Sequence, residues 1–254
     1  TDGDGDYDEV YIYGARSFSI WDVSDMSLTY DSGDDFEQQL LIADPVNFNS
    51  TNDEHDTRKN RSDDKGCEPE AIDVGTIGDN VYAFIGLERM GGIMVYDVTD
   101  VNAVEFKTYN NYRNFDVDAT SPDAGDLAPE CVKFISADNH PGGNDLLVVS
   151  NEVSGTISIY TVDVEEEDDT MDEVENVELE RLGGFSTNVF DEGAAEIVDY
   201  SSDEEALYYV NADAGTVGIL DITDPTLPVE IETVSVADSV DANTNGFVTG
   251  GINA

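Results

Sequence analysis

The chain has 254 residues, of which 58 are Asp or Glu and 10 are Lys or Arg, so its formal net charge is −48. Proteins that bind nucleic acid contact the phosphates through Lys and Arg, so this charge excludes DNA and RNA partners. No run of about 18 apolar residues predicts a membrane span. Disorder is excluded because 39% of the residues are hydrophobic and are arranged periodically.

Two explanations of the acidity remain open, and they are compatible. Halophilic adaptation would use a hydrated carboxylate shell whose self-repulsion is screened by salt. Calcium binding would use the same oxygen atoms as ligands. The sequence begins at Thr1 rather than Met, which predicts a processed product or part of a longer chain.

The densest acidic motif is DGDGDYDE at residues 2–9. Asp2, Asp4 and Asp6 alternate with Gly and are followed by Asp8, a pattern that predicts a calcium loop. It is not an EF-hand, because Tyr7 replaces the required Gly and no Glu closes the loop. It resembles the FG-GAP calcium hairpins of integrin-type propellers, and a solvated acidic loop is the alternative.

Short strands at residues 9–13, 17–23 and 28–30 are predicted to form a first blade. Residues 31–66 follow as a long polar excursion, with one or two helical turns within 34–42. A loop of this length inside a compact domain is usually functional or disordered. We expect its basic residues to pair with neighbouring acids, and His55 has no second His nearby to form a metal site.

The rest of the chain repeats one pattern three times: a carboxylate heads a short apolar run, and further strands follow after Gly, Asn or Asp turns. First strands are predicted at 70–74, 130–134 and 196–200, and later strands at 81–87, 93–98, 104–109, 146–150, 156–162, 207–211 and 216–222. A four-stranded repeat of roughly 40–65 residues is typical of a β-propeller blade. The sequence therefore predicts an all-β fold of antiparallel blades, with about four blades present.

Glu70, Glu130 and Glu196 share one position, the head of each innermost strand, which lines the channel of a propeller. A ring of carboxylates would repel itself and either take up protons or hold a cation, and we expect calcium. The alternative is that each Glu accepts backbone N–H bonds at a strand entrance. Glu88 and Glu152 also align, and we interpret them as turn-stabilising residues.

The two cysteines, Cys67 and Cys131, lie at the heads of neighbouring first strands. A disulfide between adjacent blades of an extracellular protein and a pair of free buried thiols both fit this placement. The acidic run at 164–177 predicts a solvated linker. It divides the chain into blades at 1–163, which include the long loop 31–66, and further blade structure at 178–254.

No nucleophile motif is present, since the sequence lacks GxSxG, a Walker loop and HExxH. Two His in total argue against a zinc enzyme or a His-based acyl transferase. An enzyme would have to use carboxylates and calcium, as in metal-assisted phosphoester hydrolysis. Such a reaction needs a cationic group for phosphate, and the candidates near the blade tops are Arg16, Lys65, Arg89 and Lys133.

Several segments together resemble the secreted choice-of-anchor I propeller proteins, which are sometimes labelled alkaline-phosphatase-like. The GPEPEG motif of that family corresponds to GCEPEA at 66–71, with Cys67 and Ala71 as departures, and residues 219–229 resemble the LVIVD repeat of surface propellers. Further matching segments are DGDGDYDEVYIYGARSFSIWD, YDSGDDFEQ, YAFIGLERMGGIMVYDVTD and LLVVSNEVSGTISIY. The resemblance spans nearly the whole chain and implies a secreted propeller.

The order of the matching segments differs from that of the family. Segments that lie in the C-terminal half of the family's proteins come first in this chain. About four blades stand where the resemblance implies seven. Two explanations fit: a segment cut across a tandem array of propellers, or a permuted subunit that closes its ring with a neighbour. Both leave blade edges open, so we expect self-association with identical chains or adjoining propeller segments.

The sequence thus predicts an extracellular, calcium-stabilised propeller that acts as a structural or adhesive subunit of a cell surface or filament. One alternative is a calcium-dependent phosphoesterase with a carboxylate-lined site in the channel mouth, which rests on fold-level analogy. Another is a ligand-free scaffold whose acidity is only salt adaptation.

Overall fold

The computed structural model describes Gly14 and residues 16–140, 142–165 and 176–237. A hairpin is formed by β1 (Ser19–Asp22) and β2 (Ser27–Asp31), and α1 (Asp35–Ala43) follows it. The remaining strands are β3 (Pro69–Ile77), β4 (Asn80–Leu87), β5 (Ile93–Asp97), β6 (Glu105–Asn110), β7 (Pro129–Ile135), β8 (Leu146–Asn151), β9 (Thr156–Glu165), β10 (Asn176–Ser186), β11 (Val198–Ser201), β12 (Ala206–Asn211), β13 (Thr216–Asp221) and β14 (Val229–Ser235). The strand predicted at 9–13 lies outside the described residues.

Strands β3 to β14 form three four-stranded antiparallel sheets, each with its strands in chain order. We call them blade A (β3–β6), blade B (β7–β10) and blade C (β11–β14). The first strands lie side by side, because β7 of blade B contacts both β3 and β11. The prediction of an all-β fold built from four-stranded, blade-like repeats is confirmed.

The blades are held together by apolar cores between their faces. Between blades A and B, the rings of Phe84 and Phe134 are stacked with their centroids 5.5 Å apart. Between blades B and C, Ile159 packs with Leu207 and Leu220. Because alternate strand residues point to opposite faces, blades A and B each contribute to a core on either side.

The other face of blade A is covered by the hairpin and α1. Phe18 of the segment before β1 and Phe36 of α1 pack on Tyr96 of β5, with ring centroids 5.0 and 5.6 Å from that ring. The predicted helix in the polar excursion is therefore present. Its apolar residues Phe36 and Leu40 are fully buried.

The two described ends of the acidic run predicted as a linker belong to neighbouring strands of one blade. Strands β9 and β10 pair along their whole length, and Glu165 is opposite Asn176. The run therefore connects two neighbouring strands of blade B.

Both cysteines are free thiols, so of the two alternatives the disulfide between Cys67 and Cys131 is not formed. Cys67 is buried beside Met90 in the core between blade A and α1. Cys131 lies on β7 and faces the core between blades B and C, where its thiol contacts the carbonyl oxygen of Val198 at 3.5 Å. The two side chains point to different cores, which prevents their pairing.

Candidate functional site

The candidate site is a group of carboxylates at the heads of the first strands. Glu70 lies between the paired positions Pro69–Leu87 and Ala71–Gly86, so it is the extra residue of a β-bulge. Glu130 has the same place in blade B. A bulge re-aims its side chain, which explains why these two carboxylates leave the regular alternation of their strands.

The backbone just before each bulge also brings the residues at the ends of β4 and β8 next to the bulge residues. The residues before the bulges, Glu68 and Ala128, have positive φ, and their carbonyl oxygens accept hydrogen bonds of 2.8 Å from the backbone of Glu88 and Glu152. In blade C, Gly193 and Ala212 make the equivalent bond of 2.8 Å. Glu88 and Glu152 were interpreted as turn-stabilising; their backbones do hold this turn, but their side chains also belong to the carboxylate group.

Glu68, Glu70 and Glu88 form the most compact part of the site. Their carboxylate oxygens lie within 4.8 Å of one another. Lys65 and Arg89 both pair with Glu68. Hydrogen bonds from these two cations hold the pKa of Glu68 below its usual value, although burial acts in the opposite direction.

The side chain of Glu88 is contacted by Arg89 and by Asn52 of the long loop. Its Oε1 atom lies 2.9 Å from Arg89 Nη1 and accepts a 2.8 Å hydrogen bond from Asn52 Nδ2. Burial, followed by a hydrogen bond to Glu70, raises the pKa of Glu88 to about 9. At neutral pH this raised pKa favours the protonated form of Glu88.

Glu130 and Glu152 extend the site into blade B. Burial, together with the charges of Glu70, Glu152 and Glu196, raises the pKa of Glu130 to about 7. Burial and the charge of Glu196 also raise the pKa of Glu152. The structure thus brings the three predicted channel residues, Glu70, Glu130 and Glu196, within electrostatic range of one another.

Glu196 contributes a buried carboxylate oxygen that accepts no hydrogen bond among the described residues. Its backbone joins blade C through a 3.1 Å bond to the carbonyl oxygen of Val210, and its side-chain Oε2 is buried without a hydrogen-bond partner among the described residues. A buried carboxylate oxygen without a donor is unfavourable unless a proton or a cation accompanies it.

The site contains more carboxylates than the nearby cations can neutralise. Six acidic side chains meet two cationic ones, Lys65 and Arg89, among the described residues; the acids are Glu68, Glu70, Glu88, Glu130, Glu152 and Glu196. Hard divalent cations prefer such oxygen ligands. Among the described residues, the carboxylate oxygens that converge within 4.8 Å are those of Glu68, Glu70 and Glu88, of which Glu68 and Glu88 already contact Lys65 or Arg89. The charges of Glu130, Glu152 and Glu196 act on the same region.

The predicted calcium loop formed by Asp2, Asp4, Asp6 and Asp8 lies outside the described residues. The structure therefore neither places nor groups those four side chains.

The basic residues considered as phosphate ligands are paired with carboxylates. Arg16 contacts Glu37 at 2.7 Å and Lys133 contacts Asp199 at 2.8 Å, while Lys65 and Arg89 bind within the site. Among the described residues, none of these four cations is left to receive a phosphate, so no observation favours the phosphoesterase alternative.

Arg113 secures the loop that carries Asn52. It is buried and donates 3.0 Å hydrogen bonds to the carbonyl oxygens of Arg89 and Glu54. Its Nε lies 3.3 Å from Nε2 of His55. Sequence analysis did not indicate this role, because these partners are up to 59 residues apart along the chain.

The family model described as "Choice-of-anchor I domain" matches residues 1–101. Gigasin-3a of Magallana gigas is 32% identical over 170 residues, which are 63% of this chain and 60% of that protein. The chain therefore spans about 60% of the length of this relative.

Two solved bacterial structures, provisionally described as 6-phosphogluconolactonases, are also similar. The one from Bacteroides fragilis has a TM-score of 0.43 and 18% identity, covering 64% of this chain and 42% of that chain. The one from Bacteroides uniformis has a TM-score of 0.47 and 13% identity, covering 74% and 46%. No helix in the described part of the chain combines the length and apolar character needed to cross a membrane.

Proposed function

We propose that this protein is an extracellular, calcium-stabilised propeller module with a structural or adhesive role at a cell surface or in a filament. The observation that carries the proposal is the excess of carboxylates where the first strands of blades A, B and C meet. A calcium ion held near Glu70, with the charges of Glu130, Glu152 and Glu196 facing it, would link three blades through one centre.

Two features support a cation rather than protons alone. The buried Oε2 of Glu196 lacks a donor among the described residues. The pKa of Glu130 is raised only to about 7, so this carboxyl group is ionised in alkaline medium. A divalent cation would neutralise both at once. The location is supported by the match of residues 1–101 to the choice-of-anchor I domain model.

Self-association with a second copy of the chain is the assembly that we propose. Ile72 and Val74, on the first strand of blade A, are 53% and 52% exposed, and Val229 and Ile231, on the last strand of blade C, are 51% and 60% exposed. Blades already pack face to face twice within the chain. A third contact of this kind between copies would cover these apolar residues.

Thermal melting in calcium and in excess chelator, at constant high salt, tests the calcium site. A site saturated about 100-fold above its Kd would raise the melting temperature by about 5–10 °C. Glu130→Gln and Glu196→Gln should each reduce this shift, because each removes a ligand charge without removing volume. Asp203→Asn, at the exposed turn between β11 and β12, is the matched control and should keep the full shift.

An equal melting temperature in calcium and in chelator would show that calcium does not stabilise the folded protein. Equal shifts in wild type, Glu130→Gln and Glu196→Gln would place the calcium elsewhere in the protein. Self-association is tested separately by sedimentation velocity at high salt, with Ile231→Asn compared with Val23→Asn in the hairpin turn. A protein that stays monomeric at all concentrations and salt levels would contradict the assembly proposal.

A further inference from the structure

A cleft of about 480 Å³ lies at one end of blade B, distinct from the carboxylate site. Its walls come from the segment after β6, the loop before β7, the turn between β8 and β9, and the loop after β10. Three aromatic rings line it, those of Tyr112, Phe185 and Phe190. Volumes of this size, with aromatic walls and a few polar groups, are typical of small-molecule sites.

The polar wall of the cleft is a network centred on Asp126. This carboxylate is only 7% exposed and accepts hydrogen bonds from Tyr160 Oη at 3.0 Å and Thr156 Oγ1 at 3.1 Å. Arg181 Nε lies 3.3 Å from its Oδ2. Burial and the charge of Asp126 raise the pKa of Tyr160, so its hydroxyl remains a donor.

Arg181 keeps donors that the network does not use. Its Nη2 contacts Ser158 Oγ at 3.3 Å, while its Nη1 has no hydrogen-bond partner among the described residues. The side chain is about one-third exposed and lines the cleft. Because Asp126 neutralises its charge, Arg181 presents N–H donors without a net positive charge at the site.

The walls are fixed by close backbone contacts. At Gly125, a Cβ would lie 2.1 Å from the carbonyl oxygen of Tyr112, and at Gly155 it would lie 2.2 Å from that of Val189. Both glycines have positive φ. These contacts join the opposite walls, so the cleft exists before any ligand binds and little ordering entropy is lost on binding.

We propose that this cleft binds a neutral saccharide unit of one or two sugar rings. Aromatic faces suit the C–H faces of a sugar ring, and Arg181, Ser121 and Asn188 offer hydrogen bonds for its hydroxyl groups. A neutral ligand is favoured over an anionic one because the whole chain carries a charge of −48. The assignment is independent of the calcium site.

Saturation-transfer NMR and calorimetry on the whole chain, with maltose and chitobiose as neutral probes and glucuronic acid as the anionic probe, test the assignment. Binding of a neutral probe, with saturation transferred to its ring protons, is the expected result. Tyr112→Phe, which loses the bond from the Arg181 backbone N–H to Tyr112 Oη but keeps the ring, should bind as the wild type does. Tyr112→Leu should weaken binding at least tenfold, because it also removes one stacking face. Arg181→Met should weaken it by a similar factor.

Arg58→Met is the control, since Arg58 lies in an exposed loop away from the cleft. It should bind as the wild type does. Arg181→Met leaves Asp126 without its cation and is interpreted only if its melting curve shows a folded protein; Tyr112→Leu keeps the test decisive otherwise. Binding of glucuronic acid alone, no binding of either neutral probe, or equal binding by wild type and Tyr112→Leu would each overturn the proposal.

Discussion

The carboxylate oxygens of Glu88 and Glu70 lie within 4.8 Å of each other, and burial together with this proximity raises the pKa of Glu88. Glu88 is the partner whose protonation we expect, because it is 4% exposed whereas Glu70 is exposed. We therefore expect Glu88→Gln to be tolerated, since a neutral amide replaces a neutral carboxylic acid. Its free energy of unfolding at neutral pH should change by less than about 1 kcal/mol.

Glu88→Ala should behave differently from Glu88→Gln. It removes the acceptor of Asn52 and Arg89, which leaves buried donors unpaired at a cost of about 1–3 kcal/mol. Urea unfolding of both variants in chelator measures the difference. Equal destabilisation by Gln and Ala would show that Glu88 is ionised in the folded protein.

The raised pKa values also predict how stability depends on pH in the absence of divalent cations. Both Glu130 and Glu88 have folded-state pKa values, about 7 and about 9, above the ordinary value of 4.5. The folded state therefore binds protons more tightly than the unfolded state. Their contribution is fully present below pH 4.5 and is lost as the pH rises through about 7 and about 9.

Melting in chelator between pH 5 and pH 9 should accordingly show a falling melting temperature. The double variant Glu88→Gln, Glu130→Gln should flatten this slope, because neither replacement titrates. Asp203→Asn, which changes one exposed carboxylate, should leave the slope unchanged. A slope that is the same in the double variant and the wild type would contradict the assignment of these two groups.

Part of this arrangement could be predicted from the sequence. The repeat alignment identified Glu70, Glu130 and Glu196 as equivalent, because period-2 strands and Gly turns are local features. The contribution of Glu88 and Glu152 was missed, since it depends on bulges that change the strand register. The contacts of Asn52 were also missed, because its partner Glu88 is 36 residues away and a polar loop has no periodicity that indicates where it packs.

Arg113 is predicted to hold the long loop against blade A. Replacing it with Met leaves the carbonyl oxygens of Glu54 and Arg89 without their donor, and we expect a loss of about 3 kcal/mol in the free energy of unfolding. Proteolysis should also become faster within residues 47–65. Lys59→Met, in the same loop and exposed, is the control; unchanged proteolysis in Arg113→Met would show that other contacts hold the loop.

Gly75 is predicted to be required for the contact between blades A and B. A Cβ at this position would lie 2.5 Å from the ring of Phe134, so Gly75→Ala should cost about 1–3 kcal/mol through overpacking. Phe134→Leu makes room for the methyl group. The cost of Gly75→Ala should therefore be smaller in a Phe134→Leu background, and strictly additive costs would contradict the contact.

The free thiols give a prediction that does not depend on any bound ion. Burial raises the pKa of Cys67 to about 12, and burial also raises the pKa of Cys131. Because the thiolate is the reactive form, the folded protein should react slowly with a thiol reagent at neutral pH, and denaturant should release both thiols for rapid reaction.

The same experiment separates this state from a disulfide. Protein purified without reductant should show two reactive thiols after unfolding, one from each of Cys67 and Cys131. Cys131→Ser serves as the control and should show one. No reactive thiol in unfolded wild type would mean that the two cysteines pair, which would require β7 to turn Cys131 away from the core that it shares with Val198.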